Sequence, residues 1–66
     1  MRWFEKHRME WIEEILTVFG FINRDHLVRK FGVSVPQASI DLQTFQRLYP
    51  KRMSYNTSAK RYETNT

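Results

Sequence analysis

Cysteine is absent from this chain, and glycine and proline occur only twice each. Without thiols, neither a disulfide framework nor a thiolate metal site can staple so small a fold. Zinc fingers and secreted knot-like scaffolds are thereby excluded. No long apolar run is present either: residues 15–22, the most hydrophobic stretch, include Thr17 and Gly20, whereas a membrane-spanning helix needs roughly 20 apolar residues. The start, Met1 to Arg8, mixes charges and lacks the apolar core of a secretory signal. A Gly-rich phosphate loop, a G-x-S-x-G elbow and an H-E-x-x-H spacing are all missing. His7 and His26 are isolated, and Glu10, Glu13 and Glu14 share one solvated helical face. Neither an enzyme nor a metal or other cofactor is expected, and no membrane partner. A reducing, cytoplasmic compartment fits.

What the chain does hold is aromatic and basic. Its 66 residues allow one small domain, 41% hydrophobic and 15% aromatic. Large rings must supply much of the burial. Eleven Lys and Arg against seven Asp and Glu give a net charge of +4. The distribution says more than the total. Residues 1–23 carry a net −1 and residues 24–66 a net +5. A concentrated positive surface attracts phosphates whatever their sequence.

Periodicity and punctuation divide the chain. From about Trp3 to Phe19 a helical period places Phe4, Arg8, Trp11, Ile12, Ile15, Leu16 and Phe19 on one face. Lys6, Glu10, Glu13, Glu14 and Thr17 lie opposite, an acidic face expected to point away from nucleic acid. Trp3 falls on the polar side, as a dimer contact or a loose terminus. Gly20 ends the helix, and Phe21-Ile22 leaves room for a short extended piece. Asn23 caps a second helix over residues 24–31, whose Leu27, Val28 and Phe31 form a buried stripe. Gly32 closes it. Ser34 caps a third helix, with Pro36 in its first turn, running from Val35 to about Tyr49 before Pro50. Two short helices separated by Gly-Val-Ser have the spacing of a helix-turn-helix. Beyond Pro50 the period becomes two: Met53, Tyr55 and Tyr62 alternate with polar residues about a turn at 56–59, as in a β-hairpin.

The expected fold is therefore α+β, mainly α: a winged helix-turn-helix of three helices, a short strand and a C-terminal β-hairpin wing. It occupies residues 1–63, and 64–66 form a frayed tail.

The third helix resolves into two faces. Val35, Ala38, Leu42, Phe45 and Tyr49 read as core, while Pro36, Gln37, Ile40, Gln43, Thr44 and Arg47 project the other way. Amides, hydroxyls and guanidinium suit base edges and phosphates. Ile40 is the odd member: it either meets a thymine methyl or packs under the wing or on a partner. Asn23 and Ser34 cap their helices and, through the helix N-termini, can also anchor phosphate. Lys51 and Arg52 enter the hairpin, and Lys60 and Arg61 leave its turn. They either straddle phosphates or guard an exposed edge strand.

The run from Ile22 to Leu42, above all Phe31-Gly32-Val33-Ser34-Val35-Pro36-Gln37-Ala38-Ser39 and Asp41-Leu42, resembles the N-terminal domain of bacterial WYL-domain transcriptional regulators. It is most similar to the repressors found beside phage-defence operons, whose reading segment has the form FGIS-x-PQAS-x-DL. Tyr55, Ser58-Ala59 and Tyr62 look like that family's wing. The resemblance implies a repressor that binds a palindromic operator in double-stranded DNA as a homodimer. In it the helix with Pro36, Gln37, Ser39 and Gln43 enters the major groove. Family members continue into a ligand-sensing domain and a dimerisation domain, neither of which these 66 residues contain. An excised domain or a stand-alone relative is expected, nucleoid-associated and a weak homodimer, stronger if part of a longer chain. The competing readings are a winged-helix protein-interaction module and single-stranded nucleic-acid binding through exposed Tyr55 or Tyr62.

Overall fold

In a computed structural model of the chain, which describes residues 3–65, punctuation residues set the element boundaries. α1 spans Trp3–Phe19 and stops at Gly20, whose φ of 81° is left-handed and whose N–H donates to the Leu16 carbonyl. β1, Phe21–Ile22, follows at once. α2, Arg24–Phe31, opens on a reciprocal cap: the Asn23 side chain accepts from the His26 N–H, and His26 Nδ1 accepts from the Asn23 N–H. Gly32, at φ 68°, closes α2 by donating to the Val28 carbonyl. α3, Val35–Leu48, is capped by Ser34, whose Oγ accepts from the Gln37 N–H at 3.2 Å.

The remainder is the wing. β2, Met53–Asn56, and β3, Arg61–Thr64, form an antiparallel hairpin with Tyr55 opposite Tyr62. β1 adds to the other edge of β3, giving the order β1-β3-β2. The turn is held by Asn56, whose side-chain oxygen accepts from the Ala59 N–H, and Lys60 takes a left-handed φ of 56°. No helix among the described residues is long and apolar enough to cross a membrane.

Ile12 and Leu16 from α1, Leu27 from α2, and Ala38, Leu42 and Phe45 from α3 meet Ile22 and Met53 of the sheet in one core. Several expectations need correction. Phe4 and Phe19, assigned to the core face of α1, are about two-thirds exposed, and Met9 is buried instead. Val35 and Tyr49 are likewise exposed rather than core. All four lie at helix ends. The buried residues of α1 and α3 lie within the helices, where the other elements pack on them, and the side chains at the ends stay outside that contact. Trp3 is exposed and stacks on His7. Trp11 is half-buried, edge-on to Phe31.

The tail differs from expectation as well. Thr64 pairs with Met53 in the sheet, and its N–H donates to the Gly20 carbonyl. Asn65 is tied to the Arg52 carbonyl, Ser54 Oγ and the Lys51 carbonyl. Residues 64 and 65 are thus part of the hairpin's base, and Thr66 lies outside the described residues.

Candidate nucleic-acid interface

α3 turns an amide- and hydroxyl-bearing surface outward. Pro36, Ile40, Gln43 and Arg47 are exposed, and Ser39 and Thr44 half-exposed. Ile40 is 54% exposed, so it does not pack under the wing. The helix has one acidic residue, Asp41, and it is buried at 2% exposure. α3 therefore presents no exposed carboxylate, which would repel phosphate. Ser34 stands at its N-terminus with its hydroxyl occupied by the cap.

Beside α3 lies a cleft of about 330 Å³ where three elements converge. Asn23, Arg24 and Asp25 come from the start of α2, Ser39 and Gln43 from α3, and Tyr55, Lys60 and Arg61 from the wing. Arg24, which lines this cleft, is not among the residues singled out from the sequence. A signal existed: a cation in the first turn of a helix opposes the dipole, so stability gives no reason for it there. Among the described residues Arg24 forms no ion pair.

The other predicted basic residues divide. Lys51, Lys60 and Arg47 are exposed and unpaired among the described residues. Arg61 is partly committed: its Nε donates to Glu63 at 2.8 Å and its guanidinium lies 4.3 Å from the Phe21 ring centroid. Arg52 is fully committed. It grips both carboxylate oxygens of Glu13 at 2.9 Å and reaches Thr64, so it fastens the hairpin to α1. That hydrogen bonding raises the Arg52 pKa further. Arg52 was expected either to straddle phosphates or to guard an exposed edge strand; its donors are turned to Glu13, and a bidentate carboxylate uses the donors a phosphate would need.

Gln37 is not a free side chain either. Its Nε2 donates to Asp41 Oδ1 at 2.9 Å, one helical turn on, while its backbone completes the Ser34 cap. Asp41 in turn faces Arg8 of α1, with Nε 2.7 Å from Oδ2 and Nη2 donating to Oδ1 at 3.2 Å. In the wing, Tyr55 is 48% exposed but meets Tyr62 edge-to-face, and Tyr62 packs on the core. Burial, and behind it the neighbouring Tyr55, raises the Tyr62 phenol above its usual range.

Two helices joined by a three-residue link, with a hairpin beside the second, is the arrangement on which comparison with known proteins bears. Residues 5–66 match the BrxR transcriptional regulator winged helix-turn-helix domain. The chain belongs to this family. Over 61 residues the BrxR-type domain is 43% identical to the DNA-binding transcriptional repressor CapW of Escherichia coli (strain KTE188). It is 41% identical over 61 residues to the CapW of Pseudomonas aeruginosa, and 37% over 62 to that of Stenotrophomonas maltophilia. These matches cover 92–94% of this chain but only 20–21% of the relatives. The chain spans about a fifth of the length of the curated relatives it matches.

Proposed function

We propose that the chain binds double-stranded DNA sequence-specifically and serves transcriptional repression, with α3 in the major groove and the wing against the backbone. The observation that carries this reading is the outward face of α3. It offers amide, hydroxyl, methyl and guanidinium groups, while its single carboxylate is withdrawn into the core. Gln37, Ile40, Gln43 and Thr44 read base edges, flanked by Pro36 and Ser39. Arg24, Arg47, Lys51 and Lys60 contact phosphates, helped by the partly paired Arg61 and the N-terminus at Ser34. The CapW relatives, named DNA-binding transcriptional repressors, support the same assignment.

The finer part of the proposal is a homodimer on a palindromic operator, in the cytoplasm at the nucleoid. Selection from random duplexes, followed by titration at two salt concentrations, tests both parts. A recovered consensus establishes specific binding, and its symmetry and half-site spacing report the dimer. Duplexes bound without preference would remove the sequence specificity, and duplexes not bound at all would leave the protein-interaction reading in its place. Single-strand stacking on the wing fits less well: of Tyr55 and Tyr62 only Tyr55 is well exposed, and its ring meets Tyr62 edge-to-face.

A further inference from the structure

Arg8 and Asp41 are buried charges, with side chains 10% and 3% exposed, that the proposed function does not use. They come from different helices, 33 residues apart. A buried ion pair is a poor device for stability alone, because well-packed apolar residues of similar volume often do as well or better. What this pair does have is a third member. Asp41 Oδ1 accepts from Gln37 Nε2 as well as from Arg8 Nη2.

That contact decides which way the Gln37 amide points. A carboxylate has only acceptors, so the amide must turn its nitrogen inward. One N–H is then spent on Asp41, and the amide oxygen and second N–H remain. An acceptor beside a donor is the pattern that adenine's N6 amino group and N7 match in the major groove. Gln37 is the third residue of α3, at the helix end that recognition helices bring to base edges. Asp41 is itself held from α1 by Arg8. The buried pair therefore transmits a fixed orientation from the core to the reading surface.

We propose that Arg8 and Asp41 are positioning residues for base selectivity: they hold the Gln37 amide in the orientation that reads adenine at one operator position. This inference rests on the DNA-binding reading above and goes beyond it, by assigning specificity to side chains that touch no DNA.

The test uses the consensus duplex from random selection and all its single-base variants. Gln37→Ala identifies the position that Gln37 reads. The paired variant Arg8→Met with Asp41→Leu replaces the ion pair by apolar volume, so that the fold survives while the acceptor is lost. Its heat unfolding is measured alongside. Preference for adenine at the Gln37 position is expected to fall by about five-fold or more, the lower end of what one bidentate contact supplies. Preferences elsewhere and the salt slope stay as in the unaltered chain, and adding Gln37→Ala to the pair costs no further selectivity.

Asp41→Asn is the second variant, should the paired one fail to fold. Its oxygen goes to Arg8 and its amide to Gln37, which must then turn its own oxygen inward. The preferred base at that one position is expected to change. If the folded variants keep the original adenine preference while Gln37→Ala loses it, the positioning role is wrong and the DNA reading stands. If Gln37→Ala weakens all duplexes equally, Gln37 reads no base and the inference falls with it. If the unaltered chain has no preferred duplex, the DNA reading itself has failed.

Discussion

Lys60 shows how one residue serves two demands. It ends the wing turn with φ at 56°, a region where a side chain costs about 1–2 kcal/mol relative to glycine. A charge at the wing tip, beside the cleft, is what the position gains. Two substitutions separate the roles. Lys60→Ala and Lys60→Gly both remove the charge, so each is expected to weaken DNA binding across sequences and flatten the salt dependence by about one unit. Only Lys60→Gly relieves the backbone, and it alone is expected to raise the unfolding temperature. Arg47→Ala should match the flattened slope. Unchanged slopes would remove these residues from the phosphate footprint. Side-chain partners were the least legible part of the sequence. Gln37 and Arg52 were recognised as polar and outward, but periodicity places a residue on a face without naming what it meets. Asp41 finds Arg8 and Arg52 finds Glu13 over separations of 33 and 39 residues. No local pattern encodes those distances.

Caps decide the elements, and most were readable. Gly20, Asn23, Gly32 and Ser34 are local signals, and the helices begin and end where they stand. Gly32→Ala tests the strongest of them. A Cβ there meets nothing within 4 Å, so the expected loss is purely conformational, about 1–2 kcal/mol. In a domain this small that lowers the unfolding midpoint by roughly 4–8 °C per kcal/mol. Sheet order was not readable, because two-residue β1 has no pattern from which to choose β3 over β2 as its neighbour. The junction of the hairpin with α1 gives a milder prediction. The Arg52–Glu13 bridge is solvent-exposed, so Glu13→Gln should cost less than about 1 kcal/mol of stability. The wing has a pH response of definite sign. Hydrogen bonds from Asn56 and then Arg61 hold the Glu63 carboxyl below the usual range. A carboxyl lowered on folding stabilises above its unfolded pKa, and that contribution is lost as pH falls through the folded one. Acid titration should therefore loosen Tyr55 and Tyr62 in side-chain NMR, and Glu63→Gln should remove that step.

Across the whole molecule, the sign of charge follows the architecture. The net −1 over residues 1–23 and +5 over residues 24–66 are legible in the sequence. Pairing leaves both sums unchanged and shows which charges are engaged: Arg8, Arg52 and Arg61 are held by Asp41, Glu13 and Glu63. Arg24, Arg47, Lys51 and Lys60 remain exposed around α3 and the wing, while Glu10 and Glu14 keep α1 acidic. On the proposed reading a phosphate backbone docks beside α3 and the wing, with the acidic face of α1 turned away from it. Titrating the isotope-labelled chain with its selected duplex, and following backbone amide shifts, tests that orientation most directly. Large shifts are expected over residues 35–47, at Arg24 and around Lys60, with the exposed side of α1 at Glu10 and Glu14 unmoved. Shifts centred on α1, with α3 unperturbed, would contradict that orientation.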